Sequence, residues 1–342
     1  MKPGTNSTLH DIAHRTGLSI ATVSRALHRE NSPNVSESTR RRVQEVARSV
    51  GYQANLLGRS LSTGRSHVVS YWTISAFSTY YASVAKGISD EAANRGFQVI
   101  LNNTFDPAHS LEAAGAGEAK HSRVAHSFDG MILCDVAFPD NEYAAQIRRP
   151  GIPTVGIGIS YPADGDYVGI DLTPGTVELL RHLIAQGCRR IAHMGQADAL
   201  AKSDPRAIAY EETLREAGLE REWIPIKDHA RGFARAGIAD YLADRRLPDA
   251  IFCANDEVAI GCYRGCLDKG IKVPEDVLIA GCDGIEETAY HYCPLTTLAI
   301  PVTKMCEKAW EFLLARIHEP ESPPRQMKLY PELVLRRSTE RP

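Results

Sequence analysis

Nowhere does the sequence hold the ~20 consecutive apolar residues that a membrane-crossing helix requires, so no membrane partner is expected. The opening "MKPGTNSTLHD" lacks the apolar segment of a secretory leader, which points to a cytoplasmic protein. No C-x-x-C pair occurs among the cysteines at 134, 188, 253, 262, 266, 282, 293 and 306. Several lie in apolar runs such as "AIFCAN" and "GMILCDV", so buried reduced thiols are expected rather than disulfides. A G-x-x-x-x-G-K phosphate loop is absent, and "GIGIS" at 156–160 is too short for a dinucleotide fingerprint. With no nucleophile–base pair either, neither a cofactor nor an enzyme is expected. "HDIAH" sets His10 and His14 four apart, but Asp stands where a zinc helix has Glu and no third ligand is near, so no metal is expected.

What is present is unevenly distributed. Residues 1–65 hold ten Lys/Arg against four Asp/Glu, whereas the remainder holds 29 against 38. A basic N-terminal module on an acidic body implies a polyanionic partner for the first part alone.

In "LHDIAHRTGLSIATVSRAL" two short amphipathic segments meet at Thr16-Gly17-Leu18-Ser19. Leu9, Ile12 and Ala13 share one face, Gly17 permits the turn, and Ser19 can cap the second segment. Val23, Ala26 and Leu27 then bury against the first, leaving Ile20, Ala21, Ser24 and Arg25 outward. That is the layout of a helix-turn-helix whose second helix enters the major groove. Arg25 can donate a bidentate pair to guanine, and Ile20 and Ala21 can meet thymine methyls. "SESTRRRVQEVARSVGY" reads as a third helix, capped by Ser36, with Val43, Val46, Ala47 and Val50 as its apolar stripe. Its Arg40, Arg41 and Arg42 are expected to meet phosphates. The linker "YQANLLGRSLSTGRS" is greasier than a solvated tether, through Leu56, Leu57 and Leu61. Gly58 costs about 1 kcal/mol against Ala in a helix, so the segment is expected to be unfolded alone. The leucines suit either a wedge in the minor groove or packing on the body.

From Val68 onward, β-rich runs alternate with helical patterns: "HVVSYWTI", "FQVILNN", "DGMILCDV" and "IPTVGIGI", then "DYVGID", "RRIAHMG", "DAIFCAN" and "DVLIAGCDG". Helices are expected between them, including 110–127 and 141–148. This alternation predicts two doubly wound parallel-sheet lobes with a ligand between them at the carboxyl ends of the strands. Asn255 and Asp283 each end an apolar strand, Arg206 starts a helix, and Asp256 reads as a helix N-cap. Trp72, Phe77, Tyr80 and Tyr81 cluster after the first body strand, where aromatics suit a sugar face or a core equally.

Together, "TLHDIAHRTGLSIATVSRAL", "NVSESTRRRVQEVARSVGYQAN", "GRSLSTGRS" and "PDAIFCANDEVAIGCYRGCLDKGIKVPEDVLIAGCDG" followed by "PLTTL" resemble the LacI/GalR family of bacterial transcription regulators, in order from about Thr8 to Arg337. The resemblance implies a small all-α helix-turn-helix headpiece over 1–52, a hinge over 53–65 and a body of periplasmic-binding-protein type. The N-terminal lobe would comprise 66–163 and 299–327, and the C-terminal lobe 164–298 and 328–342, with crossings near 160–167, 296–301 and 325–331. It implies a homodimer on double-stranded, pseudo-palindromic operator DNA, controlled by a small-molecule effector. Ser19, Ile20, Ala21, Ser24, Arg25 and Arg40, with Asn55 and Leu61 of the hinge, would contact DNA. Arg206, Asn255, Asp283, Trp72 and Tyr80 would line the effector site.

The sequence also departs from the family. Ala54 replaces the proline before the hinge asparagine and Gly58 a better helix former, so hinge folding should depend more on DNA. Gly158 stands where many sugar-responsive members carry an acidic residue. Leu200 and Lys202 replace the arginine and threonine of purine-responsive members, which favours a saccharide or glycoside over a nucleobase. "VLRRSTERP" is no leucine-heptad tail, which favours a dimer over a tetramer. A transport-type sugar-binding protein would account for the body alone and leave the basic headpiece unexplained.

Overall fold

A computed structural model describes residues 7–28, 35–52, 65–103, 128–136, 151–159, 164–196 and 204–341. The hinge positions Ala54, Asn55, Gly58 and Leu61, the loop residues Leu200 and Lys202, and the helices expected over 110–127 and 141–148 lie outside the described residues. The chain divides into two compact units, Met1–Ser66 and His67–Pro342.

The first unit holds α1 (Leu9–Thr16), α2 (Ile20–His28) and α3 (Glu37–Ser49). Thr8 and Asp11 form a reciprocal capping box at α1: Asp11 Oδ2 accepts from Thr8 N at 2.7 Å, and Thr8 Oγ1 accepts from Asp11 N at 3.4 Å. These bonds hold the Asp11 carboxyl below its usual range. Gly17, at φ +66°, ends α1 in the left-handed conformation that the tight turn requires. Ser19 Oγ then accepts from Thr22 N at 3.1 Å, and Ser36 Oγ from Thr39 N at 3.3 Å, starting α2 and α3. Ile12, Ala13, Val23, Ala26, Val43 and Ala47 make one core shared by all three helices.

The second unit is built on two six-stranded sheets. The first joins β1 (Val68–Thr73), β2 (Gln98–Asn103), β3 (Gly130–Cys134), β4 (Thr154–Gly158), β5 (Asp166–Ile170) and β11 (Gln326–Leu329). Their order is β11-β5-β4-β3-β1-β2 and every pairing is parallel. The second joins β6 (Ile191–Gly195), β7 (Glu222–Pro225), β8 (Ala250–Cys253), β9 (Leu278–Asp283), β10 (Thr296–Ala299) and β12 (Glu332–Val334). Its order is β12-β10-β9-β8-β6-β7, parallel except for β12 against β10. Strands β3, β6 and β9 are buried along their whole length, as a parallel sheet covered on both faces demands.

Six described helices flank the sheets: α4 (Thr79–Asn94), α5 (Thr173–Ala185), α6 (Pro205–Glu216), α7 (Arg231–Asp244), α8 (Asp256–Asp268) and α9 (Val302–His318). Trp310 Nε1 on α9 donates to the Ile88 carbonyl of α4 at 3.0 Å, tying the late helix to the first lobe. At Gly261 of α8 a Cβ would overlap the Arg231 carbonyl of α7, so only glycine allows these helices to approach so closely. All eight cysteines are buried and unbridged. No helix among the described residues is long and apolar enough to cross a membrane.

The lobe boundaries need correction. Residues 164–170 were expected to open the C-terminal lobe, yet β5 pairs with β4, Val155 opposite Asp166, and completes the first sheet together with β11. The first crossing therefore follows Ile170 rather than lying at 160–167. Residues 328–329 likewise belong to the first sheet, and the third crossing falls between Leu329 and Glu332. An apolar run announces a strand but not its neighbour, and the neighbour assigns the lobe.

Candidate functional site

In the first unit, α2 presents Ile20, 47% exposed, with Ala21 and Arg25 also exposed and Ser24 half-buried. Val23 and Ala26 on the opposite side are in the core, so the outward set is fixed by packing. Arg25 Nε donates to the Ala21 carbonyl at 3.1 Å, which lays the guanidinium along the exposed face. Ser19 is committed to the cap already described. Arg41 and Arg42 are exposed, with Arg41 Nε 3.2 Å from Glu37 Oε1.

Arg40 departs from the expectation. It is buried, and its Nη1 donates to the Ala26 carbonyl at 3.2 Å, near the end of α2. It holds α3 to α2 instead of facing a phosphate, because the last carbonyls of a helix need donors. His10 and His14 are both exposed, and no group of metal-binding side chains occurs among the described residues.

In the second unit, polar groups collect where the strands end. Arg206, at the start of α6, is buried against Asp204: Nε and Nη2 donate to its carboxylate at 2.9 Å each, and Nη1 donates to the Ala254 carbonyl. Burial would raise the Asp204 carboxyl, but the adjacent guanidinium holds it below its usual range. The neighbouring imidazoles of His193 and His229 are pushed down to about 4 by burial, with Arg206 acting in the same direction, so both are neutral at pH 7. His193 Nδ1 lies 3.0 Å from the Phe252 carbonyl and serves as its donor.

Asn255 caps α8, its Oδ1 accepting from Val258 N at 2.9 Å. This corrects the cap expected of Asp256, which is instead fully buried. Asp256 Oδ2 accepts from Gly284 N at 2.7 Å and Ile285 N at 2.9 Å, and Oδ1 accepts from Thr297 Oγ1 at 2.7 Å. Asp256 thereby fixes the turn after β9, where Asp283 sits buried at φ +125°, a left-handed conformation unusual outside glycine. Burial and the nearby Asp256 both push the Asp283 carboxyl well up.

On the first lobe, Tyr80 is buried in the main core. Trp72 does not join it. Neighbouring strand residues point to opposite faces, and Trp72 packs with Ile74, Met131, Leu133, Val136 and Ile152 while Tyr71 enters the main core. Phe77 is exposed and Tyr81 half-buried.

Two further polar groups, Asp135 and Thr79, stand on the first lobe. Asp135 follows β3 at φ +56°, accepting from Ile159 N at 2.7 Å and Tyr81 Oη at 3.1 Å. Thr79 Oγ1 donates to Glu257 Oε1 at 2.7 Å, from the first lobe to the second. Asp135 had the same signal that singled out Asp283, an acid directly after a buried apolar run.

Residues 8–55 match the family described as bacterial regulatory proteins, lacI family, and residues 180–339 match the periplasmic binding protein-like domain. The HTH-type transcriptional repressor PurR of Glaesserella parasuis serovar 5 (strain SH0165) is 26% identical over 342 residues, covering 97% of this chain and 98% of that one. The Lac repressor dimer bound to operator and the anti-inducer ONPF has the same fold, with a TM-score of 0.80 at 22% identity over 98% of this chain and 99% of that one. The complex of the transcriptional regulator CelR with cellobiose gives 0.66 at 25% identity, over 97% and 100%.

Proposed function

Since the chain belongs to the LacI family of bacterial regulatory proteins, we propose that it is a repressor released or engaged by a small saccharide or glycoside. It is a regulator and not an enzyme. The observation that carries the reading is the exposed face of α2, with Ile20, Ala21, Ser24 and Arg25 outward on a basic headpiece. Arg25 reads guanine, Ile20 and Ala21 meet thymine methyls, and Arg41 and Arg42 hold phosphates. In the same reading Asn55 and Leu61 contact DNA from the hinge.

Two copies act on a pseudo-palindromic operator. The operator-bound Lac repressor, whose fold this chain shares, is a dimer. The effector binds where the strands end, near Arg206, Asn255, Asp283 and Tyr80. The CelR–cellobiose complex supports a sugar in a body of this kind. Effector and operator affinities are then linked reciprocally.

Two measurements test this. An operator is selected from random duplexes with the full-length protein, and binding is followed with and without sugars that stabilise the protein. A ligand at 100 times its dissociation constant adds about 2.7 kcal/mol, visible as a thermal shift. A stabilising sugar that also changes operator affinity is the expected result. Stabilisation by a nucleobase and by no saccharide would overturn the effector class, and failure to select any duplex would overturn DNA recognition.

A further inference from the structure

The body begins on a strained residue. His67, the first residue of the second unit, is held at φ +54°, a left-handed conformation uncommon outside glycine. Such a backbone persists only where its surroundings over-determine it. Here both strands that flank β1 take part. From the β3 side, Asp129 Oδ2 accepts from His67 N at 2.9 Å, and from the β2 side Gln98 N donates to the His67 carbonyl at 2.9 Å. The imidazole meets the Phe97 ring at 5.2 Å, and Ser66 just before it is already buried.

The contact continues inward. Phe97 packs against Trp310 at 5.4 Å, and Trp310 is fully buried. Two links to the second lobe converge on that tryptophan. It lies on α9, which follows β10 of the second sheet with only Ile300 and Pro301 between them. Its Nε1 also donates to the Ile88 carbonyl of α4, and α4 reaches the second lobe through Thr79 and Glu257. His67, Phe97 and Trp310 therefore form one packed row from the start of the body to the two helices that movement of the second lobe would pull. Rigid elements joined by packed side chains are a physical means by which a displacement travels between sites.

Resting on the ligand-controlled repressor reading above, we propose that His67 is a positioning residue for operator recognition, passing movement of the lobes from Trp310 and Phe97 to the chain that leads to the DNA-binding unit. In this assignment it touches neither DNA nor effector. Its clamped backbone fixes the direction in which the chain leaves the first sheet. A shift of α4 or α9 that moves the Phe97 ring redirects that exit. Phe97 is the coupler, because its ring is the link between the imidazole and the indole.

The test compares full-length Phe97→Leu, Phe97→Tyr and His67→Gly with the wild type, on the selected operator and on random duplexes, with and without galactose, cellobiose and lactose. Without sugar, Phe97→Leu and His67→Gly should weaken operator binding by about fivefold or more and leave random-duplex binding within about twofold. With a sugar that binds, calorimetry should give both variants the wild-type dissociation constant within about twofold. The change in operator affinity that the sugar causes should fall at least about threefold. Phe97→Tyr keeps the ring and should keep the wild-type values. If Phe97→Leu fails to fold, His67→Gly decides, since glycine adopts the left-handed backbone without strain and loses only the ring. Operator affinity and sugar response both unchanged in His67→Gly would overturn the assignment. So would sugar affinity lost in step with operator affinity, the mark of a merely structural role. If none of the three sugars changes operator affinity in the wild type, the saccharide reading fails, and the sugar-free comparison still decides His67.

Discussion

Thr79 Oγ1 donates a 2.7 Å hydrogen bond to Glu257 Oε1, joining the first turn of α4 on one sheet to the first turn of α8 on the other. Glu257 is gripped from its own lobe as well, since Arg231 Nη2 donates to the same oxygen at 3.0 Å. Burial works to raise the Glu257 carboxyl, but Arg231 and Thr79 hold it below its usual range. The acceptor is thus charged at neutral pH, which makes the bond stronger than one between neutral groups.

Thr79→Val removes this donor while keeping the side-chain shape. We expect it to lower the unfolding free energy of the protein by about 1.5–3 kcal/mol in urea, and to shift the sugar concentration that half-saturates the body. Thr79→Ser should restore both. A Val variant as stable as the wild type, with an unchanged titration, would mean the two lobes are not tied here in solution.

The arginines of α3 should separate into two kinds. Arg40→Ala strips a donor from the Ala26 carbonyl and should destabilise the first unit by about 1–3 kcal/mol. Arg41→Ala and Arg42→Ala should leave stability within about 0.5 kcal/mol and weaken binding to all duplexes alike, each lowering the salt slope by about 1. Arg25→Ala should instead relax preference at one base pair, at a cost of about 1–3 kcal/mol. Thermal melts and salt titrations on selected and random duplexes distinguish the three outcomes. An Arg41 variant with an undiminished salt slope would remove that residue from the phosphate contacts.

How much of this was legible in the sequence differs from residue to residue. The parallel sheets were, because strands buried on both faces spell continuous apolar runs such as "GMILC" and "LIAGC". The helix-turn-helix was, because Gly17 and Ser19 act within a few residues of themselves. What failed depended on distant partners. The run "DYVGI" does not disclose that β4 and β11 flank it. Arg40 looks like its neighbours Arg41 and Arg42 until the end of α2 is placed beside it. Asn255 and Asp256 are both good cap residues, and only the extended backbone at Asn255, φ −153° and ψ 177°, assigns the cap to the first.

Asp256 should matter more for shape than for charge. Its carboxylate gathers two backbone N–H groups and the Thr297 hydroxyl around the turn that carries Asp283. Asp256→Ala leaves three donors without that acceptor, which should cost at least about 3 kcal/mol. Asp256→Asn keeps an acceptor oxygen and should cost less, yet it should still weaken sugar binding because the Asp283 turn is no longer held from one side. Denaturant melts and calorimetric titration of both variants check this. Full sugar affinity in Asp256→Asn would show that the Asp283 turn holds itself.

The imidazole of His193 offers a pH test. It stacks against Tyr210 at 5.3 Å and edges Trp223 at 4.9 Å, buried deeply enough that its pKa falls from 6.5 to about 4. Between those values the unfolded chain binds a proton that the folded protein refuses, so stability is lost as pH falls, by up to about 1.4 kcal/mol per pH unit, and is fully present above about 6.5. His229 acts in the same sense. Asp256 and Asp283 oppose it: their raised carboxyls take up protons on folding, so their contribution is lost as pH rises. The whole protein can therefore look flat with pH while each group titrates, and a variant is needed to separate them. His193→Asn retains a donor to the Phe252 carbonyl but cannot be protonated. At pH 7.5 it should be the less stable protein, having lost the ring packing. At pH 4.5 its deficit should shrink by about 2–3 kcal/mol, or reverse, because the wild type alone is then penalised for a neutral buried imidazole. A deficit that stays constant across that range in urea melts would show that His193 takes its proton without difficulty, and that the site around Arg206 is wetter than its packing implies.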